Sequence, residues 1–271
     1  MITRRFALIA LPALAAGLGF SQEPGFAQEN AAVARALAPT GTLRAVINVG
    51  NPILASRAPG DPTPRGVSVD LAREMARRLG LPVELVVMPS AGRAVETMRA
   101  ERADIGFFAV DTSRGQGIDL TAPYIEIEGT YLVPDTSPIT TIGEVDRRGI
   151  RVAVGFNSAY DLFLRREIRN ATLVRVPTFP AVVEEFLRQT IDVAAGVRQQ
   201  LHADAQRFPG LRVLPGRFMV IEQAMGLAGG RDALGLTYLR DFVEEMKASG
   251  FIAQAMARHG IEGAAVAPRR G

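Results

Sequence analysis

Hydrophobic and polar positions alternate between two periods along this chain, and the switching between them predicts the elements. TLRAVINV, from Thr42 to Val49, is a short apolar run ending in a Gly50-Asn51-Pro52 turn, which predicts a first strand. After a loop, Gly66 precedes VSVDLAREMARRLG. There Leu71, Met75 and Leu79 recur at helical spacing, while Arg73, Arg77 and Arg78 take the outer face. Ser68 is the expected cap, Asp70 suits the positive end of the helix dipole, and Gly80 with Pro82 stops the helix. Val83 to Val87 predicts a second strand, Ala94 to Ala100 a short helix, and Ile105 to Val110 a third strand buried on both faces. The order so far is βαβαβ, an α/β pattern.

From Pro134 the pattern restarts. A short helix is expected at Ile142 to Val145, a strand at Arg151 to Val154, and a helix from about Ala159 to Ile168, with Ser158 and Asp161 at capping-box spacing. Strands at Leu173 to Val176 and Asp192 to Ala195 flank a helix carrying Val183, Phe186 and Leu187, and Arg212 to Leu214 follows as a further strand. Apolar strand resumes at Gln223 to Ala228. A long helix then runs from Asp232 to Ser249, with Leu239, Phe242, Val243 and Met246 on one face and Gly250 at its end. The expected division is an export signal over residues 1–27 and a polar linker over 28–41, then a first lobe over 42–133 and 221–263. A second lobe, 134–220, is inserted into the first, and a frayed tail covers 264–271. Inserting one lobe into another requires two crossings, expected near Leu132 to Asp135 and near Val220 to Gln223, which together make a hinge.

Composition narrows the function classes. The 271 residues are 48% hydrophobic, enough to fill the cores of two modest α/β lobes. The formal net charge is +3 with arginines scattered, and no basic stripe with interleaved aromatics appears, which argues against nucleic acid. Arg4 and Arg5, an apolar stretch from Phe6 to Phe20 and the small-x-small site at Gly25-Phe26-Ala27 read as a signal for export to the periplasm, with cleavage expected after Ala27. Cysteine is absent, which removes disulfides and thiolate catalysis. With only His202 and His259, far apart, no metal site or cofactor is expected.

The sharpest chemical signal is Arg114. DTSRGQG follows a fully apolar strand and leaves the sheet at its carboxyl end, where open α/β sheets bind ligands. A guanidinium held there offers a planar fork of donors to a carboxylate; the alternative is a surface salt bridge to Asp111 or Asp119.

GVSVDLAREMARRLG at Gly66, ADIGFF at Ala103, IDLTAPY ending at Tyr124 and RVAVGFNSAYD at Arg151 together resemble the type II periplasmic solute-binding proteins of ABC importers, family 3, especially the branch for polar amino acids. The resemblance runs from GTLR at Gly41 to MKASGFIAQAMARHG ending at Gly260. It implies a two-lobed periplasmic binding protein type II fold with two hinge crossings, and a monomeric receptor partnered by a membrane permease. In such relatives the residue matching Arg114 grips the ligand's α-carboxylate.

Other family positions have changed. The two aromatic rings that sandwich the ligand correspond to Asn51 and Val67, neither of which can stack. The hydroxyl residue upstream of the arginine corresponds to Ala109, and the acid that receives an α-ammonium corresponds to Val197, beside Arg198. A buried ammonium without a counter-charge costs several kcal/mol, so a carboxylate lacking an amine fits better. Arg198, if turned into the cleft, would clamp a dicarboxylate together with Arg114; otherwise it is a solvated loop residue. Asp111 or Glu222 would instead supply the missing negative charge and keep an amino acid as cargo. Asn157 and Ser158 stand at a helix start whose N–H groups could hold a ligand oxygen, although Ser158 also suits a plain cap. Asn48 and Asn51 end the first strand as amide donors or as ordinary turn residues. Phe156 and Tyr160 could replace the lost rings, as could Phe107 and Phe108 unless these fill the two faces of a buried strand.

Two other functions compete with an importer receptor. The resemblance extends to cyclohexadienyl dehydratases, which use a carboxylate as acid or base; Glu126, Glu128 and Glu222 are available, but alternation in YIEIEGTY puts the first two on one solvated strand face. A periplasmic sensor or accessory binding protein would have the same sequence features.

Overall fold

The apolar runs become strands of one continuous mixed sheet in the structure, a computed structural model that describes residues 24–58, 60–111 and 116–269. Helix α1 (Pro24–Leu37) leads into β1 (Leu43–Asn48), α2 (Val67–Leu79), β2 (Val83–Met88), α3 (Ala91–Arg99) and β3 (Ile105–Ala109). The long strand β4 (Ile118–Pro134) then passes to β5 (Arg151–Gly155), α4 (Ala159–Glu167), β6 (Thr172–Val176), α5 (Val182–Arg188), β7 (Val193–Val197), α6 (Arg198–Arg207) and β8 (Leu211–Val213). The chain returns along β9 (Met219–Ala228) and closes with α7 (Ala233–Ala248), α8 (Phe251–Arg258) and the short β10 (Ala265–Val266).

The sheet order is β2-β1-β3-β9-β4-β7-β5-β6. One parallel group, β1 with β2 and β3, belongs to the larger lobe; the other, β5 with β6 and β7, belongs to the smaller. Antiparallel β4 and β9 join them. β4 pairs with β9 from Ile118 to Gly129 and with β7 from Gly129 to Leu132, so its change of partner falls at Gly129, ahead of the segment Leu132 to Asp135. β9 pairs with β3 only from Gln223 onward, and its stretch Met219 to Glu222 is the second crossing strand. Register shifts in β4 flank Pro123, which has no N–H to give a ladder and is accommodated at the irregularity.

Consecutive aromatics in β3 serve opposite faces. Phe107 joins the core under α2 and α7, and Phe108 joins the cluster of Val46, Ala94, Val95 and Met98 under α3. The smaller lobe has a core of its own, with Leu132, Val182, Val183, Phe186 and Leu201 packed on β5 and β7.

Several sequence expectations are corrected. The stretch 28–41, read as a polar linker, is mostly the end of α1. Val33 and Leu37 on that helix are buried against the main core, and α1 packs on α7, so its apolar side decides over its polar composition. Residues 1–23, which carry most of the expected export signal, lie outside the described residues. Ser68 does not cap α2; Gly66 does, at φ 136°, because a Cβ there would stand 2.4 Å from the Leu54 carbonyl oxygen. The helices α6 and α8 were not anticipated. The tail after Gly263 is pinned rather than frayed. Ala265 and Val266 pair with Glu126 and Ile125, and the ammonium of buried Lys247 donates to the carbonyls of Pro123 and Pro268. Among the described residues, no helix is long and apolar enough to cross a membrane, and no group of three or more His, Asp or Glu side chains could hold a metal ion.

Candidate ligand-binding cleft

Strand carboxyl ends of both lobes face one another across the crossing strands and enclose a cleft of about 710 Å³, solvent at its mouth included. The larger lobe contributes Asn48, Gly50, Asn51 and Leu54 after β1, Ser68 in α2, Ser90 and Ala91 after β2, and Phe107 and Ala109 of β3. Ile221 and Gln223 come from β9. The smaller lobe contributes Gly155, Phe156, Ser158, Ala159 and Tyr160 after β5, Phe179 after β6, and Val197 at the end of β7.

None of these lining residues carries a formal charge. Their polar groups are mainly donors. The Asn48 side-chain oxygen accepts from the Gly50 N–H at 2.9 Å and that of Asn51 from the Ile53 N–H at 3.3 Å, so each amide keeps its NH2 as a donor. Ser90 caps α3 by accepting from Arg93 N–H, and Ser158 caps α4 by accepting from Asp161 N–H at 3.1 Å. The N-termini of α3 and α4 thus meet the cleft from opposite lobes, each with the positive end of its dipole.

Beneath the smaller lobe's wall lies Asp161, a carboxylate with no exposure. It accepts from Arg165, from Arg175 at 3.1 Å and from the Asn157 backbone at 2.9 Å, instead of completing a capping box with Ser158. These bonds hold Asn157 at φ 55°, a left-handed conformation that asparagine tolerates. Arg165 also lies 5.6 Å over the Phe156 ring, which is 51% exposed at the cleft. Tyr160 is 3% exposed, meets Phe179 edge-on at 5.8 Å, and its hydroxyl has no hydrogen-bond partner of acceptable geometry, Ser158 and Gly155 being its polar neighbours. Burial pushes its ionisation above the ordinary phenol range, so it stays a neutral O–H. Gly155 is required for this arrangement, since a Cβ there would stand 2.9 Å from the Tyr160 oxygen.

Of the residues singled out in the sequence, Asn48, Asn51, Phe107, Ala109, Phe156, Ser158, Tyr160 and Val197 line the cleft together. Arg114 lies outside the described residues. The others sit elsewhere. Val67 is fully buried in the first turn of α2, where the helix turns its side chain into the core. Asp111 bonds Arg166 of α4 at 3.0 Å, a bridge from one lobe to the other. Arg198 is neither in the cleft nor a solvated loop residue. It begins α6 and donates to Glu128 at 2.7 Å and to the Gly216 carbonyl, while Arg217 and Arg198 together hold the Glu128 carboxyl below its ordinary range. Glu222 is exposed on β9 between the cleft-lining Ile221 and Gln223, and strand alternation turns it to the opposite face. Asn157 borders the site through its backbone, with its side chain bonded to Arg165 and set against Gly92 of the other lobe. Sequence reasoning missed Ser90, Phe179, Ile221 and Gln223. Ser90 carried a usable signal, a serine directly after a strand and before a helix.

Residues 44–261 match the bacterial extracellular solute-binding proteins, family 3. No curated protein matches. Among solved structures, the solute receptor for L-cysteine of Neisseria gonorrhoeae superposes with a TM-score of 0.73 at 21% identity, over 85% of this chain and 94% of that one. A variant of ArgBP from T. maritima gives 0.72 at 20% identity, over 85% of this chain and 100% of that one. The ancestral amino-acid-binding protein AncCDT-1, a precursor of cyclohexadienyl dehydratase, gives 0.70 at 16% identity, over 84% and 98%. These likenesses show the fold, the two-lobed type II periplasmic binding protein fold with one lobe inserted into the other. With the match spanning nearly all of the described chain, the protein belongs to the bacterial extracellular solute-binding proteins, family 3.

Proposed function

We propose that the protein is the periplasmic receptor of an ABC importer, acts as a monomer, and captures a small carboxylate or amino-acid-like ligand between its lobes through Arg114. The observation that carries this reading is the cleft itself: a donor-rich pocket with no charged residue in its described lining, set between two lobes that the crossing strands β4 and β9 join. Ligand that touches both walls binds the closed form better than the open one, and that difference is what drives closure. Arg114 comes five residues after the end of the lobe-1 strand whose Phe107 and Ala109 line the pocket, which supports it as the carboxylate's partner. The Arg198 pairing with Glu128 removes the second guanidinium that a dicarboxylate clamp would need. The neighbours described as ArgBP and as an L-cysteine receptor support a transport role. Dehydratase chemistry needs a carboxyl group over the ligand, and no residue described in the lining supplies one.

A thermal-shift screen of carboxylates and amino acids tests the reading, since a ligand at about 100 times its Kd adds about 2.7 kcal/mol of stability. Arg114→Ala is expected to abolish binding of any hit while leaving the melting temperature of the free protein unchanged. Unaltered affinity in calorimetry would overturn the assignment of Arg114, and a screen without hits would overturn the receptor reading.

A further inference from the structure

We infer that the cleft selects against an amino group. It takes a monocarboxylate with an apolar, planar body and an oxygen beside the carboxylate, as in a 2-oxo acid, and the Tyr160 hydroxyl is the smaller lobe's polar contact to it. This rests on the receptor reading above and narrows its ligand.

Three observations converge. First, no described lining residue is a carboxylate, and each acid near the cleft is already engaged or faces away. Asp161 is bound by Arg165 and Arg175, Asp111 by Arg166, and Glu128 by Arg198 and Arg217, while Glu222 lies on the opposite strand face. An ammonium enclosed here would leave water for neutral acceptors alone, a cost of several kcal/mol. Second, four of the wall oxygens already accept a hydrogen bond from the protein: Asn48 and Asn51 close their own turns, and Ser90 and Ser158 cap helices. Their amide NH2 and hydroxyl O–H groups, aided by two helix N-termini, make a donor set that complements oxygen acceptors.

Third, the Tyr160 hydroxyl is buried with no hydrogen-bond partner of acceptable geometry among the described residues, yet its residue lines the cleft. A buried unpaired hydroxyl is costly, and a ligand oxygen would satisfy it. Around these donors, Leu54, Phe107, Phe156, Phe179, Val197 and Ile221 form apolar walls suited to an aryl or branched alkyl body.

The test compares matched pairs by calorimetry on the purified protein: phenylpyruvate against phenylalanine, and 4-methyl-2-oxopentanoate against leucine. The 2-oxo acid of a pair is expected to bind at least about tenfold more tightly. Tyr160→Phe is expected to weaken the 2-oxo acid by about tenfold, the worth of one hydrogen bond at an enclosed site, without lowering the melting temperature, because no protein partner is lost. Val197→Asp, which places a carboxylate in the lining, is expected to shift the preference toward the amino acid. If the amino acid binds as well as its 2-oxo partner or better, the selectivity is overturned while the receptor reading stands. If Tyr160→Phe destabilises the free protein and leaves affinity unchanged, the hydroxyl is structural and its assignment falls. Should these pairs and the wider carboxylate and amino-acid screen all fail to bind, the receptor reading itself is refuted.

Discussion

Each lobe opens with the same Arg–Asp joint, and the two copies live in different surroundings. In the larger lobe Arg44 is the second residue of β1 and Asp104 precedes β3. The Arg44 backbone N–H and Nε donate to Asp104 at 3.0 Å each, and its Nη2 donates at 2.7 Å. In the smaller lobe Arg151 begins β5 and Asp192 precedes β7; the Arg151 N–H donates at 2.8 Å, while the guanidinium stands 3.6 Å away. The joint sits one residue ahead of the first paired position in both cases, Ala45 with Ile105 and Val152 with Val193. Asp104 is wholly buried, because the chain returns over it through β9 and Arg231 adds a second guanidinium at 3.0 Å. Asp192 keeps 40% of its side chain exposed, with no second guanidinium on it among the described residues. The same residue pair is therefore a core element in one lobe and a solvated edge in the other, and only the return of the chain over the larger lobe makes the difference.

That contrast is most directly broken by deletion. Asp104→Ala is expected to cost about 3 kcal/mol in urea unfolding, since it strips a buried partner from two arginines. Asp192→Ala is expected to cost less than about 1 kcal/mol, because solvent replaces the lost partner. Equal costs would show that chain return is irrelevant to the joint.

Between these in size lies the ion pair of Arg166 with Asp111, which runs from one lobe to the other. Arg166→Ala removes the cross-lobe bond to the nearly buried Asp111 carboxylate and is expected to weaken ligand binding by about 1 kcal/mol through loss of the closed form. Faster ligand release with unchanged urea stability would bear this out, and an unchanged release rate would show that the bridge has no part in closure.

The smallest effect concerns acid. Hydrogen bonds from Arg77 and Arg78 hold Glu74 on α2 at about 2 against an ordinary 4.5, and Arg78 reaches on to Glu245 of α7. The folded-state pKa is depressed, so the contribution is fully present above pH about 4.5 and fades as pH falls toward 2. Its counterpart in the smaller lobe, Glu185, meets only Arg188 and Gln189 on or next to its own helix. The melting-temperature difference between the protein and its Glu74→Gln variant should therefore vanish near pH 2, and a difference that persisted there would remove Glu74 from the account.

Local chemistry made much of the fold readable. Leu71, Met75 and Leu79 announced the buried face of α2, Gly80 its left-handed end at φ 64°, and Phe107 with Phe108 a strand covered on both sides. Ser158 caps where its position foretold, because a cap is decided within a few residues of itself. The direction of Arg198 was not readable, since its partner Glu128 lies 70 residues earlier on the crossing strand. Val67 misled for a different reason: family correspondence placed it near the ligand, but the phase of α2 turned it inward.

The sequence by itself thus determined the α/β class, the repeated lobe pattern and the helix ends, all of which follow from contacts a few residues apart. Tertiary structure decided which strand ends meet across the gap, that Ser90, Phe179 and Tyr160 share one wall system, and that the tail pairs with β4. Those outcomes depend on pairings between distant segments, whose energies arise only when both partners are already in place.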